Sequence, residues 1–178
     1  MPLRTILIAL LATGPLLAGQ QPKSPQTLKT VLLEQLHTTH DQKDWFVPIT
    51  VAVEGLTAAQ VTWTDGHGNH SIGQLVNHLA FWNARALEQF KGEKSAAFSG
   101  NNDETFNKFD SKEWTATVNR LDTIMKAWEK AVEETDDSKL KNSASLVAHV
   151  GAHNAYHVGQ IIYIRKLQGS WDPAKGVK

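Results

Sequence analysis

Between Trp114 and Val132 the apolar side chains Trp114, Val118, Leu121, Met125, Trp128 and Val132 recur at alternating intervals of four and three. A helix turns by about 100° per residue, so this spacing draws a single apolar stripe along a helix, and such a stripe has to be buried against other helices. This helix opens at Ser111. Three more stretches carry helical spacing, and none reads as a strand. The first runs from about Gln26 to Val53, with Leu28, Val31, Leu32, Leu36 and Phe46 on one side and Pro48 to kink or end it. The second is capped by Ser71, presents Leu75, Leu79, Trp82, Ala86 and Phe90 on one face, and continues to about Lys91 with Gly92 beyond. The last opens near Ser143 and runs to Gln168, where Gly169 and then Pro173 stop it.

Connections set the order. About nineteen residues rich in Gly, Ser, Asn, Asp and Lys separate the second helix from the third, and a connection of that length lets consecutive helices run the same way. The expected fold is all-α: a four-helix bundle of up-down-down-up topology, with a long crossover between helices 2 and 3 and the second and fourth helices antiparallel. The crossover itself is expected to be a solvated linker rather than a lid. With 178 residues, 41% of them hydrophobic, the chain supports one well-buried core and one domain.

The start of the chain differs from the rest. Met1 to Arg4 is short and positively charged, Ile6 to Leu17 is almost unbroken apolar sequence, and Ala18 and Gly19 precede a polar stretch. That is the pattern of a secretory signal peptide, too short to span a bilayer comfortably. Residues 1–20 are expected to be cleaved and residues 21–178 to form the exported domain, periplasmic or secreted, with no stable membrane anchor left. Gln20 stands where a lipoprotein would need a cysteine. Lys+Arg and Asp+Glu both total 18, so the chain lacks the basic excess that nucleic-acid binding through phosphate contacts demands. The absence of cysteine rules out disulfides, thiolate ligands and a cysteine nucleophile, and leaves histidine to carry any soft-ligand chemistry.

The last helix places Leu146, His149, Val150, His153, His157, Gln160, Ile161 and Ile164 on one side, so imidazoles interrupt an apolar face. His153 and His157 are one turn apart and can aim ring nitrogens at one point. From spacing alone, a hydrogen-bonded core or surface pair is the commoner meaning of such a motif. His78 on the second helix shares the inward face of Leu75 and Trp82, and in an antiparallel pair it lies within about one turn of the level of His157.

Two segments then add a resemblance. Asn69-His70-Ser71-Ile72-Gly73-Gln74-Leu75-Val76-Asn77-His78-Leu79-Ala80 and His153-Asn154-Ala155-Tyr156-His157-Val158-Gly159-Gln160-Ile161 resemble the two signature regions of the DinB (DinB/YfiT-like) superfamily. Gly55-Leu56-Thr57 and Arg165-Lys166-Leu167-Gln168-Gly169-Ser170-Trp171 resemble its weaker landmarks. The similarity spans about Gln26 to Pro173. It implies a four-helix bundle, often dimeric, with a divalent metal ion such as zinc or nickel held by His78, His153 and His157. Some members resemble thiol-dependent transferases or isomerases, but export takes a chain away from the compartments where small thiols stay reduced.

Three neutral imidazoles leave positions on a metal for water or substrate, which suits hydrolysis or group transfer on a small molecule. The second residue of the motif is Asn154, where a zincin-type peptidase needs glutamate as base. Di-iron carboxylate bundles need two Glu-x-x-His motifs, and only Glu34 to His37 fits. Two functions therefore stand side by side: a metal-dependent hydrolase or (thiol) group transferase whose catalytic residues are unassigned, and a non-catalytic metal- or ligand-binding protein of the cell envelope. His149 reads as a hydrogen-bonded interior histidine or a further ligand, Gln160 as an orienting group or an interhelical bond, and Trp82 and Tyr156 as core or pocket wall. His37, His40, His67 and His70 are expected to be exposed. Ala148, Ala152, Ala155 and Gly159 form a stripe of small residues that suits a homodimer or merely helix formation.

Overall fold

The computed structural model describes residues 26–94, 97–107 and 109–177, and every regular element among them is helical. The expected signal peptide, residues 1–20, lies outside the described residues. None of the described helices is long and apolar enough to cross a membrane.

α1 spans Leu28–His40, and Thr27 caps it reciprocally with Thr30. The expectation of one helix to Val53 fails here. His40 is drawn into the core at 1% exposure by carboxylates of a distant helix, and the chain unwinds after it. Pro48, with φ fixed at −72°, then stands at the N-cap of a separate short helix, α2 (Ile49–Val53). Gly55 turns the chain in the left-handed region at φ 71°, and α3 (Ala58–Thr62) follows, capped by Thr57 and Gln60.

α4 (Ile72–Lys91) has the limits its sequence indicates. Ser71 and Gln74 form a capping box, and Gly92 closes the helix at φ 79°. The crossover contains a short helix, α5 (Glu104–Asn107), and a 3₁₀ turn at Ser111–Glu113 that leads into α6 (Trp114–Glu134). The last helix, α7 (Asp137–Leu167), begins earlier than Ser143. The Asp136 carboxylate accepts from the N–H groups of Ser138 and Lys139, and Leu140 anchors this extra first turn in the core.

The four long helices pack α4 against α6 and α7, and α1 against the same two. Between α4 and α7, His78 meets His153, Asn83 meets Asn154, and Lys139 lies over the ring of Phe90. Between α4 and α6, Arg120 donates to Asn77 and the Trp128 indole to the Asn83 carbonyl. Lys29 of α1 donates to Glu133 O and His40 meets Asp122, both on α6, while Gln35 of α1 packs beside Gly151 of α7.

Two apolar clusters result. One gathers α2, α3, the start of α4, the first half of α6 and the end of α7, including Val61, Ile72, Val76 and Ile161; the other gathers α1, the end of α4, the second half of α6 and the start of α7, including Leu36, Phe90, Trp128 and Leu140. Along α7 the change of cluster falls between Val150 and Val158, and along α4 between Ala80 and Leu87. Asn83, Asn154 and His157 fill that gap as buried polar side chains, so each needs a partner. The two amides bond each other across the helices at 2.8 and 3.3 Å. At the far end of α7, buried Arg165 donates to the carbonyls of Ala52, Glu54 and Ser170, fastening the α2 turn and the C-terminal segment to one helix.

Candidate metal centre

His78 lies on the buried face of α4, 3% exposed, and His157 on that of α7, 5% exposed. His153 sits one turn before His157 and is half-buried. Their ring nitrogens converge: His153 Nε2 is 3.1 Å from His78 Nε2 and 3.0 Å from His157 Nε2. All three rings meet edge to face.

The outer nitrogens are already committed. Thr105 Oγ1 donates its hydrogen to Asn102 O at 2.6 Å, so it can only accept from His78 Nδ1–H, also at 2.6 Å. Gln160 donates through Nε2 to the Tyr156 hydroxyl and accepts at Oε1 from His157 Nδ1–H at 2.6 Å. Both imidazoles therefore carry their proton on Nδ1 and turn a bare Nε2 lone pair inward. The Nε2 of His153 holds at most one hydrogen and can donate to only one of them. At least one inward lone pair is thus left without a proton to accept, and a cation satisfies it.

Electrostatics agree with the hydrogen bonds. Burial, and then the neighbouring imidazoles His157 and His153, push the pKa of His78 down to about 3. Burial pushes His157 down to about 4 against the opposing bond from Gln160, and burial lowers His153 as well. All three rings are neutral at pH 7, the state in which imidazole ligates metal. Four-coordinate zinc with bonds near 2.0–2.1 Å keeps ligand nitrogens about 3.3 Å apart, close to the separations here. The group is compatible with one divalent cation.

The crossover is not the solvated linker its composition suggests. Thr105 and Phe106 are buried, and Phe106 lies between two imidazoles, 3.9 Å from the ring of His78 and 3.8 Å from that of His70. Spacing in the sequence marks neither residue; the aromatic residues Phe98, Phe106 and Phe109 in a largely polar stretch are the available signal. His70, expected in solvent, forms part of the wall. His40 is likewise not exposed: its two ring nitrogens meet Glu129 at 2.7 Å and Asp122 at 3.0 Å. With Asp41 and Glu129 it makes the second group of metal-type side chains among the described residues. Burial opposes a charge on His40, but the two carboxylates outweigh it and raise its pKa, so the clamp favours the protonated ring, with each nitrogen facing a carboxylate oxygen.

His149 stands apart from the triad. It is exposed and donates Nδ1–H to Ser145 O at 2.7 Å, so it is not an interior histidine. It does border the hollow of about 660 Å³ beside the triad, together with Trp82, Asp103 and Tyr156. Gln160 takes the orienting role, within its own helix rather than between helices.

The sequence model of the DinB superfamily matches residues 49–161, a span that contains all three converging histidines. More than half of the chain is covered, and the chain belongs to the DinB superfamily. No curated protein and no solved structure matches it.

Proposed function

We propose that this DinB-superfamily chain binds one divalent cation, zinc or nickel, through Nε2 of His78, His153 and His157. It then acts on a small molecule in the adjoining hollow as a hydrolase or group transferase. The observation that carries the reading is the pair of fixed Nδ1–H donors, which turn bare lone pairs towards His153 at 3.0–3.1 Å. A divalent cation held there supplies Lewis-acid polarisation of a substrate oxygen and acidifies water in an open position. The chain's own residues do the rest. Thr105 and Gln160 hold the tautomers, Phe106 shields one face of His78 from water, and the Asn83–Asn154 pair keeps α4 and α7 in register beside the rings.

Substituting His153→Ala removes the central nitrogen, and metal content after dialysis, read by elemental analysis, should fall from about one per chain to near zero. Full retention of metal by that variant would sink the reading. Turnover separates enzyme from binding protein: esters, amides, epoxides and thiol acceptors offered to the loaded protein with no product would assign it to non-catalytic binding.

The same reading takes the four long helices as an up-down-down-up bundle. Its support is the order of paired residues: from α4 to α7 contacts step 78 to 157, 83 to 154 and 90 to 139, whereas from α4 to α6 they step 77 to 120 and 83 to 128. Export remains part of the proposal, resting on residues 1–20. N-terminal sequencing of protein recovered from outside the cytoplasm should begin near Gly19 or Gln20. The stripe of Ala148, Ala152, Ala155 and Gly159 leaves a homodimer and plain helix preference as equal readings, and sedimentation at high concentration decides between them.

A further inference from the structure

The hollow beside the imidazoles is open on its outer side. A second hollow of about 440 Å³ adjoins it, and the two share His70, Leu75, Tyr156 and Gln160 in their walls. They are two lobes of one cleft, each of the size of a small-molecule site. The outer lobe has its own chemistry. Trp63, Tyr163, Ile164 and Leu167 line it, and Tyr163 and Leu167 stand 63% and 53% exposed.

Its polar rim is already occupied within the chain: Asp65 accepts from His67 N–H and from the Asn69 amide. Gly159 leaves space in the wall, because a Cβ there would meet nothing within 4 Å. The boundary between lobes is linked to the triad. Gln160 reaches the Tyr156 hydroxyl at 3.2 Å with its nitrogen and His157 Nδ1 at 2.6 Å with its oxygen.

We propose that the cleft takes one elongated ligand, with an oxygen-donor head against the imidazole triad and an aliphatic or aryl tail in the outer lobe against Trp63, Tyr163 and Leu167. The proposal rests on the cation reading for its head and on the outer lobe for its tail. Continuity of the two lobes favours a single small molecule, since its tail covers apolar surface that the fold leaves bare and its head needs only the neighbouring lobe.

Calorimetric titration of the metal-loaded protein with acetohydroxamic and octanohydroxamic acids holds the chelating head constant and varies the tail. Each buried methylene is worth about fourfold in affinity, so burial of only two or three of the added methylenes makes the longer acid bind about thirtyfold tighter. Gly159→Leu should fill the outer lobe and shrink that ratio to about threefold, with metal content and acetohydroxamate affinity unchanged. Trp63→Ala, which removes a wall instead, should weaken the longer acid alone. Equal affinities in the parent protein, or a ratio that survives both substitutions, would overturn the proposal.

A third probe, 1-octanol, has no chelating head. It should shift the Trp63 indole resonance in metal-free protein, so absence of metal and of acetohydroxamate binding defeats the cation reading while this shift still upholds the outer lobe. No shift overturns the tail site. Tail binding that vanishes as protein concentration rises, together with a dimer in sedimentation, would give the outer lobe to a second copy and overturn it too.

Discussion

At the scale of single residues, the tautomers of His78 and His157 are decided by two neutral side chains, Thr105 and Gln160. Neutral acceptors leave imidazole uncharged, whereas a carboxylate in their place would favour the protonated ring. Thr105→Val keeps the shape against Phe106 but deletes the acceptor. We expect cation affinity to fall about 10- to 100-fold, measured by competition with a chromophoric chelator, while Thr105→Ser restores it. An unchanged affinity in the valine variant would remove Thr105 from the site. The convergence of His78, His153 and His157 was legible, because helical spacing fixes which residues share a face and the family signature supplies the third. Thr105 was not, since its contact with His78 spans 27 residues and depends on where a crossover lies. His40 was misread for the same reason: its partner carboxylates are 82 and 89 residues away.

At the scale of elements, local chemistry marks some boundaries and distant packing marks others. The ends of α4 could be read from Ser71 and Gly92 because capping is decided within a few residues. The end of α1 could not, because no glycine or proline marks it and Asp41 closes it only through its N–H to His37 O, and the start of α7 was missed where Leu140 alone carries the apolar signal of the first turn. Gly73 shows how closely the crossover is applied to α4: a Cβ there would overlap the ring of Phe109. Gly73→Ala adds that methyl at the second residue of α4, where only the end of the Phe109 ring stands in its way and can swing aside. Its effect should therefore appear in the crossover rather than in melting. We expect faster amide hydrogen exchange over residues 104–107 with thermal stability almost unchanged; exchange as slow as in the parent would mean that Phe109 does not hold this segment.

At the scale of the molecule, two histidine groups make stability depend on pH with opposite signs. His40 has a raised pKa in the folded state, so its ion pairs with Glu129 and Asp122 stabilise fully below about pH 6.5, and this contribution is lost as pH rises through the raised value. The triad has lowered values, about 3 for His78 and about 4 for His157. Its contribution is present above about pH 6.5 and lost as pH falls towards those values. Urea unfolding of metal-free protein should show a maximum near the crossing of these limbs, and His40→Gln should flatten the alkaline limb only. A parallel drop on both sides would contradict the assignment. His78 and His153 are 75 residues apart, so no ribosome-bound or translocating fragment can present the complete donor set before most of the chain is free. Under the proposed cation reading, the ion taken up is the one offered where folding finishes, and export, as proposed, puts that place beyond the cytoplasm's metal buffers.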